Sequence, residues 1–155
     1  MDDKIETSAE VAEAAVLKAG GAAHADPDRP CTPEQEPLPK SISKKPVEKK
    51  SPAEWVYQRL ILYIQNFEKT LNAQEEIAMG FTDTGAGVLK IEGLGYFDPD
   101  MVTFYGSDGA GNRIQLVQHV TQVNVVLRAL PKPSEAAEPR RIGFELAKAL
   151  ESDDG

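Results

Sequence analysis

Gly87-Val-Leu-Lys-Ile-Glu-Gly-Leu-Gly-Tyr-Phe-Asp-Pro-Asp100 is the stretch around which the chain is organised. Apolar and polar positions alternate along it, the pattern of a strand half buried in a sheet. Leu89, Ile91, Gly93, Gly95 and Phe97 fall on one face, and Val88, Lys90, Glu92, Leu94 and Tyr96 on the other. Two glycines on one face are costly unless the strand bends or another backbone comes close. Gly93 and Gly95 therefore predict a strongly curved central strand. Phe97-Asp98-Pro99-Asp100 ends it in a tight turn, with proline presetting φ.

Upstream, Ser51-Pro52-Ala53-Glu54 is a capping box with proline at the first helical position. It predicts a helix reaching about Leu71, with Val56, Leu60, Tyr63, Ile64, Phe67 and Leu71 as its apolar stripe. Trp55, Ile61 and Leu62 widen the apolar surface beyond what covering one sheet needs. Deep burial and a subunit interface at those three residues both fit. A first strand follows over Glu75–Thr82, then a turn at Asp83-Thr84-Gly85-Ala86-Gly87. Beyond the central strand come strands over Met101–Tyr105, Arg113–Val120 and Val123–Leu130, with a hairpin loop from Ser107 to Asn112. The fold class is α+β: one amphipathic helix, then about five short antiparallel strands in a strongly bent sheet or a small barrel.

The flanks read differently. Residues 1–50 form an acidic, proline-rich tail in which Ile5, Ala9, Ala12 and Val16 have helical spacing behind Ser8, up to Gly20-Gly21. Pro27, Pro30, Pro33, Pro37 and Pro39 dominate the next segment, which buries too little apolar surface to offset ordering. Lys40, Lys44, Lys45, Lys49 and Lys50 then make a basic arm, either a solvated linker or an electrostatic docking arm. Residues 51–133 are the globular domain. Residues 134–155 hold a linker and then a short helix, marked by Ile142, Leu146, Ala149 and Leu150, or a frayed tail.

Hydrophobic content of 41% and charged content of 27% are those of a globular chain. The net charge of −8 argues against a protein whose whole surface meets nucleic acid. The single cysteine, Cys31, excludes an intramolecular disulfide and fits the cytoplasm. No signal-like or membrane-spanning apolar run is evident, so no membrane association is expected.

The search for chemistry yields little. Gly106-Ser-Asp-Gly-Ala-Gly111 has no following Gly-Lys-Ser/Thr and precedes a strand, so it reads as a hairpin turn rather than a phosphate loop. Asp98, Asp100 and Asp108 match no calcium-loop spacing, and turn chemistry explains each, so no metal and no cofactor are expected. No nucleophile stands beside a base, and the acids cluster in turns rather than on two walls of a cleft. The expectation is a non-enzyme. His119, among Gln118, Gln122 and Asn124, reads as a structural histidine or a ligand contact. A ligand site, if one exists, is expected at Tyr96, Phe97, Asp98, Asp100, Gln118 and His119.

One helix followed by five bent strands is the element order of Sm-like proteins, and the chain resembles them over residues 52–131. Gly93-Leu-Gly-Tyr-Phe-Asp98 is similar to the Sm pattern of a glycine in the bent second strand followed by an aromatic-aspartate turn. Gln115-Leu-Val-Gln-His-Val120 resembles the fourth strand of the bacterial RNA chaperone Hfq. The resemblance implies a small barrel and single-stranded RNA binding. However, Pro99 and Asp100 stand where a stacking aromatic belongs, and Gln118 where a lysine does, which removes two sources of affinity. Separately, Ser51-Pro-Ala-Glu-Trp-Val56, Ile64-Gln-Asn-Phe-Glu68, Phe97-Asp-Pro-Asp100 and Val102-Thr-Phe-Tyr-Gly106 resemble a bacterial family of small proteins with no assigned function.

These readings converge on a non-catalytic cytoplasmic interaction or assembly module that self-associates. An Sm-like RNA binder and a secretion-type chaperone holding a protein partner are the alternatives.

Overall fold

The computed structural model describes residues 20–81 and 87–152. The helix expected behind Ser8 and most of the turn at 83–87 lie outside the described residues. The chain divides into two compact units, Met1–Pro46 and Val47–Gly155. In the first, a 3-10 turn at Pro33–Gln35 is closed by Gln35, whose side-chain oxygen accepts the Thr32 N–H at 3.0 Å. A single helical turn, α1 (Lys40–Ser43), follows.

The second unit holds helix α2 (Pro52–Glu68), strands β1 (Glu75–Phe81), β2 (Gly87–Phe97), β3 (Met101–Ser107), β4 (Arg113–His119) and β5 (Val125–Pro131), and helix α3 (Gly143–Ser152). The order across the sheet is β4-β3-β2-β1-β5, every neighbour antiparallel. The sheet stays open rather than closing into a barrel, with β4 and β5 at its edges. The class is α+β, as the sequence pattern predicts.

Helix α2 starts where the capping box puts it: Ser51 Oγ accepts the Glu54 N–H at 3.0 Å. Its buried stripe is rotated from the expected one and runs through Ala53, Tyr57, Leu60, Ile61 and Ile64. Tyr63 is exposed instead. The rotation follows from Tyr57, whose ring meets Tyr96 of β2 with centroids 4.9 Å apart. The helix lies on a core face made by Met79, Phe81, Leu89, Ile91, Val102 and Phe104. Phe81 and Phe104 meet edge to face at 5.0 Å, the geometry favoured by aromatic quadrupoles.

The central strand does not keep one alternation. The pairing passes from Ile91↔Gly106 to Gly93↔Tyr105, which leaves Glu92 as an extra residue in a bulge. A bulge shifts register by one, and a one-residue shift swaps the faces. Beyond it Leu94 and Tyr96 join Leu89 and Ile91 on the helix side, and Gly93, Gly95 and Phe97 turn outward. The single face expected for Leu89 through Phe97 is therefore two half-faces. One glycine outside the stretch shapes the same strand pair. A Cβ on Gly106 would collide with the Lys90 carbonyl, so only glycine lets β3 approach β2 there.

The bulge also separates β2 from β1, which pair only over Met79–Phe81. The chain between β5 and α3 closes the gap. The Arg140 guanidinium donates to the Ile91 carbonyl, and the Arg140 N–H donates to Glu76 Oε1 at 3.0 Å. Arg141 donates to the carbonyls of Glu75 (2.7 Å) and Asn72 (3.0 Å). The Glu68 carboxylate, at the end of α2, accepts the N–H groups of Ile142 (2.9 Å) and Gly143 (2.7 Å) at the start of α3. An anion there satisfies orphan helix donors and suits the helix dipole. The segment that reads as a loose linker is tied down along its last residues.

Candidate functional site

The six residues expected to form a site do gather at one end of the sheet. Tyr96 pairs with Val102, Phe97 with Met101, Gln118 with Val102 and His119 with Met101, so the β2–β3 turn and the end of β4 are adjacent. Most of their polar groups are committed to holding elements together. Asp98 accepts the Ser51 hydroxyl, and the Pro99 carbonyl accepts the Ala53 N–H at 3.0 Å, so the turn seats the start of α2. The Asp98–Pro99 peptide bond is cis. The Asp100 carbonyl accepts the Val120 N–H at 2.9 Å, which anchors the 3-10 turn Val120–Gln122 after β4.

His119 caps that turn. Its Nδ1 accepts the Thr121 N–H at 3.1 Å, which leaves Nε2 as the ring N–H that donates to Asp100 Oδ2 at 3.1 Å. The Thr121 hydroxyl is also 2.8 Å from Nδ1. The His119 and Asp100 side chains are 42% and 41% exposed, so their pairing contributes about 0–1 kcal/mol. Gln118 is buried; its Nε2 donates to the Gln122 carbonyl at 3.3 Å, and its Oε1 meets no donor among the described residues. Tyr96 spends its ring on Tyr57. Of the six, Phe97 alone is a large apolar side chain held out to solvent, 76% exposed.

Phe97 belongs to a wider surface. On the side of the sheet away from α2, alternation places Phe97, Met101 and His119 in one row across β2, β3 and β4. Gly95, Thr103 and Val117 form the next row, and Gly93, Tyr105 and Gln115 the one after. Tyr105 leans over the two glycines: Cβ atoms added at Gly93 and Gly95 would lie 3.8 Å and 3.6 Å from its ring. Tyr105 is 42% and Val117 54% exposed. The middle of this face, from Thr103 to Val117, carries no charge.

The three residues proposed for an interface part company. Ile61 is fully buried against the sheet and offers no surface; Leu62 is half-buried. Trp55 is half-buried on the outer side of α2, beside Lys50 and Arg59.

A model of a family of unknown function, DUF6173, matches residues 45–145. That is about two thirds of the chain. The chain belongs to this family. The DUF6173 match spans α2, all five strands and the Arg140–Gly143 segment, so the clamp lies inside the family's unit. Comparison with curated proteins and with solved structures finds no match. Among the described residues of this DUF6173 protein, no helix is long and apolar enough to cross a membrane.

Sequence reasoning missed Tyr105 and Val117 because it followed the alternation of β2 alone. Thr103-x-Tyr105 and Gln115-x-Val117 carry the same period and point to the same face. It missed Glu68, Glu76 and Arg140 because their partners lie between 49 and 75 residues away.

Proposed function

We propose that this DUF6173 protein is a non-catalytic interaction module that self-associates through the uncovered face of its sheet. One observation carries the reading: Phe97, Tyr105 and Val117 are exposed together on a face whose centre is uncharged. A clustered apolar surface rimmed by polar groups is the usual mark of an association site. The occupant best matched to it is a second copy. In a chain of net charge −8, repulsion between copies is least where each presents a neutral surface. Aromatic side chains at the centre of a contact supply most of its energy.

Light scattering at tens of micromolar tests this. The expected result is a dimer or larger assembly that Val117→Asp converts to monomer, with far-UV dichroism unchanged. A strict monomer across that range would remove the proposal. Single-stranded RNA binding is the weaker reading, since Tyr96 is packed on Tyr57 and Gln118 is buried.

A further inference from the structure

The outer side of α2 carries an arrangement that neither packing nor self-association uses. Trp55, Arg59 and Tyr63 follow one another at intervals of four residues, which puts them on one face of a helix. At 1.5 Å per residue they make a strip about 12 Å long. The Arg59 guanidinium lies over the Trp55 ring, 4.5 Å from its centroid. Lys50 Nζ is 4.6 Å from the same centroid and donates to Gln58 Oε1 at 2.7 Å. Tyr63 is 39% exposed at the other end.

The unusual member is Arg59. Its Nε leans toward the Trp55 carbonyl at 3.5 Å, and among the described residues no carboxylate meets its guanidinium. Packing around the group lowers its pKa from the ordinary arginine value, partly opposed by Tyr63. Arg59 is exposed, its guanidinium is held over the Trp55 ring, and it is open to an incoming carboxylate. This occurs in a chain with 25 acidic and 17 basic residues, where acids are plentiful and none of the described ones meets Arg59.

We propose that this strip binds an acidic segment of a partner protein, Arg59 taking a carboxylate while Trp55 and Tyr63 receive the apolar side chains on either side. The order aromatic, cation, aromatic fits a peptide with an acidic centre and apolar flanks. Nucleic acid fits less well. Its affinity comes from neutralising several phosphates, and Lys50 is buried and already bonded, which leaves Arg59 as the strip's cation. The strip shares no residue with the uncovered sheet face, so either proposal can fail alone.

Trp55 is the chain's single tryptophan, so its fluorescence reports on this strip. The test titrates the full chain with the blocked peptide Leu-Phe-Glu-Asp-Phe-Leu and with its Gln-Asn counterpart. The acidic peptide should give a saturable change, with the neutral counterpart at least about tenfold weaker. Arg59→Gln should lose at least about tenfold for the acidic peptide, and Arg128→Gln, on β5, should lose nothing. Dichroism and a thermal melt check that Arg59→Gln folds; if it does not, the comparison of the two peptides on the unaltered chain decides. The proposal is overturned by no saturable change up to millimolar peptide, by equal binding of both peptides, or by undiminished binding to Arg59→Gln. It is equally overturned if oligouridylate or inorganic phosphate, and not the peptide, produces the change.

Discussion

The two faces of the β2–β3–β4 sheet are built from the same strands and differ in what they meet. On one side Val102 and Phe104 are fully buried beneath α2; on the other Thr103 and Tyr105, their immediate neighbours in sequence, stand in or near solvent. An alternating strand specifies two surfaces at once, and the covered one supplies most of the folding energy. The uncovered face is free to carry Phe97, Tyr105 and Val117 for another purpose. Stability and association should therefore separate by face.

Substitution by face is the largest test. Phe104→Ala should cost about 3–5 kcal/mol in urea unfolding, as deletion of a buried aromatic does. Phe97→Ser should change stability by no more than about 0.5 kcal/mol and yet weaken association. Equal losses would mean that the outer face is part of the core after all, covered in a way the single chain does not reveal.

A sharper test concerns how the covered face is completed beyond the bulge, where β2 has left β1. There Glu68, Arg140 and Arg141 replace strand pairing with side-chain hydrogen bonds. Glu68→Ala should cost about 1–3 kcal/mol, the penalty for stranding part-buried donors. The loss should be local, with amide exchange rising across α3 and hardly at all in β3 and β4. Unchanged exchange in α3 would show that apolar packing of Ile142, Leu146 and Leu150 holds the helix without the carboxylate.

How much of this was legible follows from how far apart the determinants lie. The start of α2 was readable because Ser51, Pro52 and Glu54 are neighbours and a cap is local chemistry. The five strands were readable because their period is two and glycine or proline follows four of them; β4 runs into Val120-Thr-Gln with neither. The faces of β2 were not, because one bulged residue, Glu92, reverses the alternation, and the collision that makes Gly106 necessary comes from another strand. Phe97, Asp98, Asp100 and His119 do meet at the end of β2, yet all but Phe97 serve the scaffold. Turn acids and a terminal histidine look the same in sequence whether they face a ligand or the start of a helix. The clamp was illegible for a plainer reason: nothing in Pro-Arg-Arg-Ile announces a carbonyl 49 residues earlier.

The smallest expected effect concerns how the face away from α2, where Phe97, Tyr105 and Val117 are exposed, keeps its register. The β3–β4 loop does so locally. Asp108 Oδ1 accepts the N–H groups of Ala110 and Asn112, both at 2.9 Å, and its Oδ2 accepts the Asn112 side-chain amide at 3.1 Å. These bonds hold the Asp108 carboxyl below its ordinary pKa, the Asn112 side chain contributing most and the Asn112 backbone N–H next. A carboxylate whose pKa is depressed on folding adds stability that is fully present above its unfolded pKa. That stability is lost as the pH falls through the lower, folded value. Asp108→Asn keeps an acceptor at Oδ1 but removes the charge and the acceptor that meets the Asn112 amide, so it should lower the urea midpoint slightly at neutral pH and match the unaltered chain at acid pH. It should also flatten the fall of the urea midpoint at acid pH. If the acid slope is unchanged, the loop is not ordered through its charge, and the register of the uncovered face must instead come from the strand pairs themselves.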